Sequence, residues 1–305
     1  MKNFVLAYGV LGLIALAYVA VTLASPADQA VRDYHISMFQ LRSLQLTIVV
    51  PVIMIWVVAL WGSLRFKRYA KSITGSKDGK ALNHVANGLL LLVYGLASST
   101  ALQAAQSLLR DTPWFSSQVI VGNYVDVVTV LVAFAVIYRG AWKLAALVKF
   151  RGLAAVHTAV ILAVVGFGTT YAWLLAMNPY RQWSPDISRI VPYYLPDWLL
   201  IISVVIPYLW AWYLGLMAAM CIQLYQRHSS GIIYRQSAKR LAIGLLAVVV
   251  SSVMIQMVGA VGPSLRHLGL ASVLLLLYLL IIAYGVGHVL VANGAKRLAR
   301  LEEAV

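Results

Sequence analysis

With 305 residues, 62% of them hydrophobic and only 11% charged, the chain departs from soluble domains, where about a quarter of residues carry charge. It belongs in a bilayer. The 24 Lys and Arg against 9 Asp and Glu give a formal charge of +15, which anchoring charge on cytoplasmic membrane loops explains without nucleic acid as a partner.

Crossing about 30 Å of hydrocarbon takes roughly 20 apolar residues. Eight runs meet that length: Phe4 to Ala24, Leu44 to Leu64, Val85 to Leu108, Val119 to Tyr138, Leu153 to Met177, Trp198 to Leu224, Leu241 to Val261 and Ala271 to Ala292. The first has Lys2 before it and Ala24-Ser25-Pro26-Ala27 after it, as a signal peptide would, but its apolar run is longer than the usual core of such peptides. It is expected to stay as a span. A cytoplasmic N-terminus leaves only Arg32, Arg42, Arg110, Arg181, Arg189 and Arg266 of the 24 basic residues on the outer side. This predicts a multi-pass protein of the cytoplasmic membrane with both termini inside.

The second half of the chain echoes the first. Ser98 and Gln103 match Ser251 and Gln256 at a displacement of 153, as do Tyr18 to Pro26 and Tyr171 to Pro179. Pro51 and Pro207 differ by 156, Leu109-Arg110 and Leu265-Arg266 keep that value, and Gly140-Ala141 and Gly294-Ala295 return to 154. The expected fold is therefore an all-α bundle of eight spans in two tandem four-helix repeats, residues 1–152 and 153–305. An even number of spans per unit inserts both copies the same way up, so the axis relating them runs along the membrane normal.

Two outer connections have their own character. Residues 25–42 place Val31, Tyr34, Met38 and Leu41 at helical spacing, as a helix lying on the membrane surface does. Residues 180–198 combine three prolines with Tyr180, Trp183, Tyr193, Tyr194 and Trp198, a composition suited to an aromatic belt or an outer lid.

Polar residues at membrane depth are the candidate sites. In the third segment Ser99, Gln103 and Gln106 share one helical face, and Ser252 and Gln256 stand in the seventh. Asp126 is the one acid expected inside a span, flanked by Asn123 and Thr129 at three residues on either side. Embedded acids default to function, although pairing with Arg110 would be structural. The serine and glutamine faces serve equally as contacts between helices or as the lining of an axial route. His84, His157 and His288 fall near cytoplasmic ends and suit proton transfer or haem ligation.

Catalytic motifs are lacking. Gly75-Ser76-Lys77-Asp78-Gly79-Lys80-Ala81 misses the spacing and the final Ser or Thr of a phosphate loop, and no His-Glu-x-x-His occurs. One cysteine, Cys221, excludes a cysteine-based metal centre within the chain, and no histidine spacing within a helix suits a metal. The leading expectation is a small-solute or ion transporter or channel with its route between the repeats, its partners being lipid and other membrane subunits or further copies of itself. A non-catalytic scaffold or assembly subunit is the competing class, and a haem-bearing redox protein the third.

Overall fold

The computed structural model describes residues 42–73, 75–108, 115–147, 153–176, 206–228, 232–261 and 270–302, and within them the fold is entirely helical. Seven helices appear among the described residues: α1 (Arg42–Ser72), α2 (Lys77–Leu108), α3 (Phe115–Leu147), α4 (Leu153–Ala176), α5 (Ile206–His228), α6 (Ile232–Val261) and α7 (Leu270–Glu302). The first expected span, the surface segment at residues 25–41 and the aromatic connection at 180–198 lie outside them.

Four helices contain stretches long and apolar enough to cross a membrane: Val128–Leu147, Ile206–His228, Arg235–Ile255 and Tyr278–Leu298. A shorter apolar stretch, Ala154–Thr170, lies in α4. Large apolar side chains face outward as well as inward. Met54, Leu162, Val165, Leu275 and Leu279 are more than half exposed, while Leu60, Leu89, Phe134, Met217 and Leu245 are fully buried. Helices apolar on every side belong to a membrane, where lipid tails cover the outer face.

Contacts between helices close into a circuit, α1 to α2, α2 to α3, α3 to α5, α5 to α6, α6 to α7 and α7 back to α1, with α4 packed outside against α5 and α6. One continuous apolar core is drawn from all six helices of the circuit. A smaller cluster joins Val160 and Val164 of α4 to Trp212 and Met217 of α5 and Val253 of α6. The apolar void among Phe167, Trp212, Leu216, Val249, Val253 and Met254 holds only about 10 Å³, at or below the volume of one water and too small for a solute.

Two pairs of helices approach backbone to backbone. A Cβ on Gly88 of α2 would meet Ile137 and lie 2.7 Å from the Ala133 carbonyl oxygen of α3, and one on Gly140 of α3 would lie 2.7 Å from the Ala81 carbonyl oxygen of α2. On the other side of the circuit a Cβ on Gly244 of α6 would lie 2.7 Å from the Gly287 oxygen of α7, and one on Gly294 of α7 would lie 2.9 Å from the Ser237 oxygen of α6. Only glycine permits these crossings, and the close contact they allow replaces the hydrophobic drive that is missing between helices in lipid.

The helices run further than the hydrophobic runs. The connection expected from Arg65 to His84 is instead helical on both sides, through Ser72 and from Lys77, because the Lys, Arg, Ala and Leu residues there are good helix formers. Ser76 ends the turn: its Oγ accepts a 2.9 Å bond from the Gly79 N–H, an N-cap for α2. α3 and α7 likewise continue past Tyr138 and Ala292 into basic residues, and α6 begins nine residues before Leu241. Contacts of Tyr225 Oη with Asp78 Oδ2 at 2.7 Å, Lys143 Nζ with His84 Nε2 at 3.0 Å and the Gly294 crossing with Ser237 gather these basic extensions at one end of the bundle.

Candidate functional site

A buried polar pair stands where α1 meets α7. His288 is 1% exposed, in the middle of the Tyr278–Leu298 stretch, and Ser63 beside it is equally buried. Gly62 lets α1 come close enough for this pairing: a Cβ there would lie 2.8 Å from the His288 carbonyl oxygen. His288 Nδ1 and Ser63 Oγ share a 2.9 Å hydrogen bond. One turn earlier on α7, the Tyr284 ring packs edge-on against the imidazole with centroids 4.6 Å apart. Whichever way the Ser63 bond runs, His288 Nε2 and Tyr284 Oη are buried with no hydrogen-bond partner among the described residues. Burying a polar atom unpaired costs about 1–3 kcal/mol, so each such atom needs a reason.

A second histidine bridges α4 and α5. His157 Nδ1 lies 2.6 Å from Tyr213 Oη, and the Tyr213 ring stacks on Trp210 at 5.4 Å. This link ties the outlying α4 to the circuit.

The third histidine belongs to the basic end. Lys143 of α3 donates to His84 Nε2 of α2, and Lys67 of α1 donates to Asn87 Oδ1, three residues along the same face. Burial first, and then the charges of Lys143, Arg139 and Lys67, hold the His84 imidazole below its ordinary value. A neutral ring is what the Lys143 bond requires, since only a deprotonated nitrogen accepts. Burial and the neighbouring Lys71 lower the Lys67 ammonium in the same way.

The histidines thus sit at three separate joints, α1/α7, α4/α5 and α2/α3, each with its own partner. The residues expected to line a route are described less fully. Ser252 is buried, and its Oγ bonds the Val248 carbonyl of its own helix at 2.7 Å; Ser251 does the same to Ala247 at 2.5 Å. Thr129 is half-buried on α3, its methyl group facing Gly95 of α2. Ser98 is exposed. Ser99, Gln103, Gln106, Asn123, Asp126 and Gln256 lie on helical backbone, and their side chains fall outside the described residues.

Sequence reasoning singled out the histidines and missed Ser63, Tyr284, Tyr213, Lys143 and Asn87, which partner or pack against them. Tyr284 and His288 at i and i+4 on one helix were a usable signal. The Ser63 pairing spans 225 residues of sequence, and no local pattern announces it. Compared with protein-family models, curated proteins and solved structures, the chain matches none.

Proposed function

We propose that the chain is built of two tandem four-span units of the same orientation, and that it works as a carrier for a small solute or ion rather than as an open channel. The matched glycine crossings carry the first part. Moving from α2 to α6 by 156 positions takes Ala81, Val85 and Gly88 to Ser237, Leu241 and Gly244, and moving from α3 to α7 by 154 takes Ala133, Ile137 and Gly140 to Gly287, Val291 and Gly294. Each contact of one pair then falls on the corresponding contact of the other: Gly88 against Ala133 and Ile137 becomes Gly244 against Gly287 and Val291, and Gly140 against Ala81 and Val85 becomes Gly294 against Ser237 and Leu241. The circuit obeys the same rule, since α1–α2, α2–α3 and α3–α5 map onto α5–α6, α6–α7 and α7–α1.

This register refines the serine match. At 156 the partner of Ser251 is Gly95, so the displacement of 153 that aligns Ser98 with Ser251 is offset by three residues, just under one turn. The polar residues of the two halves then occupy different heights on equivalent helices.

Parallel repeats about an axis along the membrane normal are an arrangement transporters use, with the solute site near the midplane between the halves. Continuous apolar packing from all six helices supports a closed inner half. Ser99, Gln103, Gln106, Asn123, Asp126 and Gln256 belong to the opposite part of their helices and supply the polar route in this reading. A scaffold is the second reading, favoured by Ser251 and Ser252, whose hydroxyls bond backbone of their own helix. Replacing Asp126 with Asn separates the two. Reconstituted into liposomes under an imposed proton or cation gradient, the carrier is expected to lose coupled flux with its melting temperature kept. A sharp loss of stability with no gradient-driven flux in the unaltered protein would favour the scaffold.

A further inference from the structure

The basic end of α1, α2 and α3 holds a cluster that the carrier reading does not use. Arg139 and Lys143 stand at i and i+4 on α3, His84 and Asn87 at i and i+3 on α2, and Lys67 on α1 completes the group through its bond to Asn87. Among the described residues none of Lys67, Arg139 and Lys143 is paired with a carboxylate. Their bonds run to a neutral amide and a neutral imidazole, which leave the positive charge uncompensated. Three cations held within reach of one imidazole repel one another. Arg139, Lys143 and Asn87 are exposed, so the group is open to a ligand.

Its depth is marked by aromatic rings. Trp142, next to Lys143, is 38% exposed and lies 6.0 Å from the Tyr138 ring, and on α1 Arg65 sits 4.2 Å above the Trp61 ring. Exposed Trp beside Lys and Arg is the signature of the headgroup layer.

We propose that Lys67, Arg139 and Lys143, with Asn87 as a neutral donor, bind the phosphate group of an anion at the membrane surface. The two lysines and Arg139 supply charge-assisted donors from helices on both sides of α2, and the Asn87 amide NH2 stays available because Lys67 engages its oxygen. Basic pockets between helices at the cytoplasmic face take acidic lipid headgroups in this way. The same chemistry admits free phosphate.

The test is a lipid titration of the full-length protein in detergent. Phosphatidylglycerol, phosphatidylcholine and inorganic phosphate are added separately, with melting temperature and native mass spectrometry as readouts. Phosphatidylglycerol is expected to raise the melting temperature and to remain bound, and phosphatidylcholine is not. The triple variant K67Q/R139Q/K143Q should keep its lipid-free melting temperature and bind phosphatidylglycerol about fivefold more weakly for each charge removed. Arg297→Gln, on α7 at the same end, should leave binding unchanged. Inorganic phosphate that saturates the shift and displaces the lipid would support the site with a free ion as its source. Equal phosphatidylglycerol binding by the triple variant and the unaltered protein, or no shift with either phosphate source, would overturn the proposal.

Discussion

Alanine at Gly88 and alanine at Gly244 are each expected to destabilise the protein by about 1–3 kcal/mol, the usual cost of overpacking a tight contact, and by similar amounts. In both cases the new methyl group would lie 2.7 Å from a backbone carbonyl oxygen of the partner helix, which cannot swing aside as a side chain can. Leucine at either position should prevent the two helices from docking. Gly166 is the control: nothing lies within 4 Å of a Cβ there, so alanine should be neutral or gain up to about 1 kcal/mol of helix propensity. Thermal unfolding in detergent measures all three. A disruptive Gly244→Ala beside a neutral Gly88→Ala would mean that the two crossings are not equivalent.

The second large effect concerns Ser63 and His288. Removing the Ser63 hydroxyl strands the buried Nδ1 of His288 and should cost about 1–3 kcal/mol. Replacing His288 with Phe should cost less than about 1 kcal/mol, because it also removes the unpartnered Nε2, and Ser63 can turn to a carbonyl of its own helix as Ser252 does. In the proposed repeat the corresponding positions already have this solution: at displacements of 154 and 156 those of His288 and Ser63 hold Phe134 and Ala219, both buried. The double variant S63A/H288F should therefore be more stable than S63A alone. If S63A is neutral and H288F is strongly destabilising, the pairing of Ser63 with His288 does not hold the α1/α7 joint.

What could be read from the sequence depended on whether a feature is set locally or by packing between helices. Seven of the eight apolar runs fall on described helices, four of them with stretches long and apolar enough to span, because membrane burial demands about 20 consecutive apolar residues whatever the fold. Gly140 and Gly294 were visible as a repeated Gly-Ala, and the structure places both at helix crossings. Helix ends were not legible: the basic residues after Tyr138 and Ala292 read as loop by charge, although Lys, Arg and Ala extend a helix readily once a span has nucleated it. Register was the harder problem. Ser and Gln recur often enough in spans to align at 153, whereas in the proposed repeat the glycine contacts of α2 and α6 match at 156. The polar partners of the histidines were hidden for another reason, since a single serine or lysine gains meaning only from a helix brought beside it by tertiary packing.

The proposed parallel orientation of two tandem units is tested most directly by labelling the connections that would be equivalent in them. Single cysteines at Ser76, in the α1–α2 turn, and at Ser230, between α5 and α6, are introduced with the buried Cys221 replaced by alanine. A membrane-impermeant maleimide should reach both from the cytoplasmic side of sealed vesicles and neither from the outside, while a cysteine at Ser184 reacts only from the outer side. Ser76 and Ser230 reacting from opposite sides would contradict two tandem units inserted the same way up.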